Sequence, residues 1–76
     1  MTTRQDRHAD AHRRMLVAVS LSKWSEAAEA AREAALYCTD ARYQRRLREK
    51  AATYGVAQIL KGEAEIDAMV AETAAR

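Results

Sequence analysis

The chain contains no proline and only two glycines, Gly55 and Gly62, among its 76 residues, and this scarcity limits its folds more than any other feature. Sandwiches and barrels of this length need frequent tight turns, and those turns draw on residues that preset or permit unusual backbone angles. A chain almost without such residues, 32% of it charged, is expected to be all-α, with helices joined by short turns. It should form one small helical domain over residues 1–76, with 1–3 and 74–76 frayed. Its core must be thin: alanine supplies 18 residues, phenylalanine is absent, and only Trp24, Tyr37, Tyr43 and Tyr54 are aromatic.

Placing residues about 100° apart around a helix axis organises four segments, approximately 4–21, 25–38, 41–61 and 63–74. In the first, His8, His12, Met15, Leu16 and Val19 share a stripe, Thr3 with Asp6 resembles a capping pair, and Val17 and Leu21 fall behind the stripe. Val17 to Leu21 also alternates as a strand would. In the second, Ser22 or Ser25 can cap a helix whose apolar stripe runs from Trp24 through Ala27, Ala28, Ala31, Ala34 and Ala35 to Cys38. Trp24 is the expected core anchor of that seam.

Thr39-Asp40 reads as a turn and cap for the third segment, which sets Tyr43, Leu47, Ala51 and Tyr54 against Arg42, Arg45, Arg46, Glu49 and Lys50. Past Gly55 the pattern changes. Val56 and Leu60 lie on the line of Arg42, Arg45 and Glu49, so this helix end is apolar on two faces and should touch two neighbours. Gly55 is a candidate kink or close backbone contact. Lys61-Gly62 reads as a helix end, after which Glu63 and Glu65 open a fourth helix with Ile66, Met69, Val70 and Thr73 in a stripe.

Formal charge alternates along the chain: +3 over residues 1–23, −3 over 24–40, +5 over 41–61 and −3 over 62–76. Oppositely charged sequential neighbours favour an up-down arrangement of hairpins with three to four helices, packed as a four-helix bundle or as tetratricopeptide-like hairpins. The stretch from Lys23-Trp24-Ser25-Glu26-Ala27-Ala28 to Leu36 resembles the second helix of a tetratricopeptide repeat, with an aromatic, then Glu-Ala, then small and large apolar residues. The similarity covers about half of one repeat. Upstream, Ala11, Arg14, Met15 and Ala18 depart from the family pattern, and Thr39 stands where proline is usual. The resemblance implies helical-hairpin packing and protein binding.

His8 and His12, four apart, share a helical face as the ligands of a metal site can, but no third and fourth ligand accompany them at suitable spacing. Half-buried, hydrogen-bonded histidines are the plainer expectation, and no metal or other cofactor is expected. The chain has no phosphate-binding glycine loop, no nucleophile motif and no Cys pair, so it is expected not to be an enzyme and not to take a small-molecule substrate. The lone Cys38 allows no internal disulfide. Asp6 and Asp10 precede the apolar run Met15–Leu21, and Lys23-Trp24-Ser25-Glu26 replaces a cleavage site, so export is not expected and the cytoplasm is. High Ala and Arg usage resembles a GC-rich, bacterial-like composition.

Two kinds of partner remain. An alanine-rich core buries little area per residue, so the surplus apolar groups Val17, Leu21, Val56 and Leu60 are expected to meet a protein partner or a second copy in a homo-oligomer such as a homodimer. The alternative is a nucleic acid docked on Arg42, Arg45, Arg46 and Lys50, since arginine suits phosphate contacts. Tyr43 lies on the opposite side from those arginines, which weakens that alternative. Membrane binding is not expected, because the apolar face of the basic segment has no bulky anchors beyond Leu47 and the tyrosines.

Overall fold

A computed structural model describes residues 3–74, all of them helical apart from short connections: α1 (Arg4–Ser20), α2 (Trp24–Tyr37) and α3 (Ala41–Ala74). Thr3 opens α1 with a reciprocal capping box: its hydroxyl accepts from the Asp6 amide at 3.1 Å, and the Asp6 carboxylate accepts from the Thr3 amide at 3.2 Å. Of the ends expected to fray, Thr3 is thus a cap and Ala74 the last helical residue, while 1–2 and 75–76 lie outside the described residues. Val17 to Ser20 is helical, not a strand.

The turn into α2 closes α1 with a Schellman motif. The Lys23 amide donates to Ala18 O at 2.8 Å and the Ser22 amide to Val19 O at 3.0 Å. The residue that must adopt the left-handed conformation there is Ser22, with φ 56°, at a position where glycine is usual. Ser22 and Ser25 do not cap α2, as the sequence suggested. Lys23 occupies the cap position without a side-chain hydrogen bond, because Ser22 is committed to the turn. Asp40 does cap α3, its carboxylate accepting from the Arg42 and Tyr43 amides at 2.9 and 3.3 Å.

α2 is the central helix and packs against both neighbours; among the described residues no Cα atoms of α1 and α3 come within 8 Å of each other. Contacts from His8 to Ala34 and from Trp24 to Tyr54 make each sequential pair antiparallel. Both flanks of α2 are alanine: Ala27, Ala28, Ala30, Ala31, Ala34 and Ala35 are all buried. Small side chains permit close helix approach. α1 contributes Ala11, Met15 and Ala18, and α3 contributes Leu47 and Ala51. Leu16, expected on the α1 stripe, faces outward at 54% exposure, because the alanine wall of α2 meets the Ala11/Met15/Ala18 face instead. Trp24 is not the core anchor. It is half-buried at the first residue of α2, its ring stacked on Tyr54 at 5.9 Å, while Met15 and Leu47 are the largest fully buried side chains.

The last four carbonyls of a helix have no partner within it. In α2 all four are satisfied from neighbouring elements: Ala34 O by His8 Nδ1 at 2.8 Å, Ala35 O by Gln44 Nε2 at 2.8 Å, and Leu36 O and Tyr37 O by the Arg4 guanidinium at 3.2 and 3.3 Å. The three helices are therefore fastened at one end by hydrogen bonds as well as by packing.

The separate fourth helix does not form. Residues 41–74 are one continuous helix, and Gly62 has no positive φ with which to end it. Without proline or a C-cap, the surrounding Ala, Glu, Lys and Met residues outweigh the ~1 kcal/mol that each interior glycine costs. At about 1.5 Å per residue α3 is ~50 Å long, which sets the 58 Å long dimension of the molecule.

Candidate interaction surface

Among the described residues, only the N-terminal half of α3 is covered by the other helices. Tyr43, Leu47, Ala51 and Tyr54 form the face against α2, with Leu47 and Ala51 buried and the tyrosines half-buried. Continued at helical spacing, that same face presents Gln58, Lys61 and Glu65. The apolar stripe of the C-terminal half, Ile59, Ile66, Met69, Val70 and Thr73, is turned from it by roughly 100°. Its four large members are 61–67% exposed. Ile66, Met69, Val70, Thr73 and Ala74 make a continuous strip almost free of polar surface.

A second feature lies on the same side of α3. Arg32, Ala35 and Leu36 of α2 and Arg48, Ala51 and Ala52 of α3 line an open groove, floored by small side chains and edged by two arginines. Leu36 on its rim is 64% exposed.

Among the residues singled out from the sequence, Val17 and Leu21 line a groove between α1 and α2 together with Arg13, Arg14, Lys23 and Glu29. Val56 and Leu60 stand exposed on α3 and are not part of that groove. The structure thus does not pool the four into one site. Val56 and Leu60 lie further round α3 from the exposed stripe, whose members Ile66, Met69, Val70 and Thr73 the sequence had assigned to a separate helix.

Arg42, Arg45, Arg46 and Lys50 are all exposed, and among the described residues none of them forms an ion pair. Among the described residues, the charge alternation expected to tie neighbouring helices does so between Arg14 of α1 and Glu33 of α2, at 2.7 Å. Asp10 extends that pair, bonded to Arg13 and Arg14 at 2.9 Å each. The Arg13 hydrogen bond and then the Arg14 hydrogen bond hold the Asp10 carboxyl below its ordinary value. Glu33 and then Asp10 push the Arg14 guanidinium further up. These groups sit in water, where screening leaves such pairs little weight in stability.

His8 and His12 belong to an aromatic cluster that bridges α1 to α3. Their rings lie 6.2 Å apart, and Tyr43 meets His8 edge-on at 5.8 Å and His12 at 6.2 Å. With Nδ1 of His8 on a carbonyl, the pair serves as packing and capping, and among the described residues no three His, Cys, Asp or Glu side chains gather as metal ligands. Cys38 is buried and unpaired, its thiol donating to Asp40 O at 3.4 Å. No helix among the described residues is long and apolar enough to cross a membrane.

Comparison of the chain with protein-family models, with curated protein sequences and with solved structures finds no match.

Proposed function

We propose that this chain is a small non-enzymatic interaction or regulatory protein of the cytoplasm, which binds a protein partner or a second copy through the apolar faces of its helices. The observation that carries this proposal is the exposure of Ile59, Ile66, Met69 and Val70 on a half-helix that stands clear of α1 and α2. Apolar side chains aligned on one face of a helix normally mark a surface that another element covers. The hairpins of α1, α2 and the first half of α3 hold that surface out on a rigid stem, much as tetratricopeptide-like packing presents helices to a ligand. Val56 and Leu60 widen the apolar surface on α3, and Val17 and Leu21 offer a second apolar patch between α1 and α2.

The test is protein binding or self-association measured at high salt, where apolar contacts persist. Leu60→Asp and Ile66→Asp should abolish it with helix content unchanged; variants that bind like the unmodified chain overturn the proposal. A nucleic-acid reading is favoured by one observation, the unpaired and exposed basic set Arg42, Arg45, Arg46 and Lys50. It requires affinity for duplex DNA or RNA that falls steeply with salt and is lost in Arg45→Ala/Arg46→Ala.

A further inference from the structure

Resting on that reading of α3 as an interaction surface, we propose that its occupant is a second copy of this chain. The two α3 helices pair antiparallel, and the C-terminal half of each lies in the groove between α2 and the N-terminal half of α3 of the other. From Arg48 onward one line on α3 passes through Ala52, Gly55, Ile59, Gly62 and Ile66, alternately four and three residues apart, and continues at that spacing to Met69 and Thr73. This is the heptad spacing of helices that pair along their length. Its sequence is complementary to its own reverse. Gly55 and Ile59 lie equally far on either side of position 57, as do Ala52 and Gly62, and Arg48 and Ile66. Antiparallel pairing about that point sets Ile59 of each chain on Gly55 of the other and Gly62 on Ala52. Ile66 then comes level with Arg48, at the edge of the groove floored by Ala51 and Ala52.

The glycines supply an independent argument. A Cβ added at Gly55 or Gly62 meets nothing within 4 Å, and neither residue has a positive φ. Nothing among the described residues requires glycine at either position. A second helix laid against this line does, because a missing Cβ lets two backbones approach closely.

Charge selects the orientation. The N-terminal part of α3 carries Arg42, Arg45, Arg46, Arg48 and Lys50 against the single acid Glu49, and the C-terminal part carries Glu63, Glu65, Asp67 and Glu72 with no base from 62 to 74. Parallel pairing would set like on like, whereas antiparallel pairing sets each basic part beside an acidic one. Groove and ridge, base and acid all reside in one chain at mirrored positions, which is what a two-fold interface between identical partners requires.

Light scattering over a concentration series is the first measurement. The expected result is a dimer that dissociates on dilution, with Ile66→Asp raising the dissociation constant by about tenfold or more at unchanged helix content. Register is read by cross-linking in a Cys38→Ala background. Ala52→Cys mixed with Gly62→Cys should form disulfide-linked dimers, while either variant alone should not, because its thiols would lie ~15 Å apart along the paired helices. A monomer at every concentration, a dimer indifferent to Ile66→Asp, or cross-linking by each single variant as readily as by the mixture overturns the pairing. A monomer that still binds another protein at high salt, in a manner lost with Leu60→Asp, overturns only the second copy as occupant. A monomer with no such partner removes the interaction reading as well.

Discussion

The two halves of α3 have similar helix-forming composition and opposite surroundings. The half before Gly55 rests on α2 through Leu47 and Ala51, both buried, whereas the half after it contributes no buried residue. Backbone hydrogen bonding does not separate them, since one helix runs through both. The difference is tertiary burial, and it shows that helix continuity and domain membership are distinct properties. The first half belongs to a three-helix core; the second is an extension whose stability has only local sources within the chain, and lone helices of that length are marginal in water.

The sharpest way to break this comparison is to truncate equivalent side chains on either side of Gly55. Leu47→Ala should remove about 2–5 kcal/mol, a large part of the stability of so small a domain, whereas Ile66→Ala in dilute solution should stay within about 0.5 kcal/mol. Urea unfolding of both variants gives the two numbers, and equal losses would mean that the C-terminal half is packed within its own chain. Gly62→Ala should act with opposite signs on folding and pairing. It should stabilise the dilute monomer by up to about 1 kcal/mol through helix propensity and weaken association, both visible in thermal unfolding followed over a range of concentrations. An effect that keeps one sign at all concentrations would separate the glycine from any close helix approach.

Changes confined to the packed half sharpen the picture further. Ser22→Gly removes the steric cost of a left-handed serine but adds freedom to the unfolded chain, for a net gain of about 0.5–1 kcal/mol, measurable as a raised urea midpoint without altered mass. The smallest effect concerns Asp10. Its carboxyl is held below the ordinary 3.8, so its contribution is present above that value and is lost as pH falls through the lower folded value. Asp10→Asn should flatten the acid end of the stability curve and leave neutral pH nearly unchanged; an identical acid limb in the variant would remove the ion pair from the account.

Much of the fold was legible in the sequence because it depends on spacing. The alanine face of α2, the Thr3 and Asp40 caps and the Tyr43/Leu47/Ala51/Tyr54 stripe all appear where periodicity and capping chemistry place them. The helix end at Lys61-Gly62 was misread because glycine after lysine signals a stop only when the chain turns there, and no local residue dictates that it does. Splitting α3 at that point also hid the line from Arg48 through Gly55 and Gly62 to Ile66, which is visible only when 41–74 is read as one helix. Trp24 was overvalued for its size; its place at the first turn of α2 puts it at the edge of the core. Val56 and Leu60 stand out as surplus in the sequence, whereas Ile66, Met69, Val70 and Thr73 read as the stripe of a separate helix, and spacing does not say whether that stripe packs within the chain or on another chain.

The sequence alone determines that this protein is helical, where α1 and α2 begin and end to within a few residues, and which face of α2 is a contact seam, since hydrophobic period and capping act over a turn or two. Only the tertiary structure decided that α3 runs on past its neighbours, that His8, Arg4 and Gln44 cap the end of α2, and that Ile59 to Val70 stand exposed. Those outcomes depend on which surfaces meet across the chain, and spacing along one helix carries no information about where another helix stops.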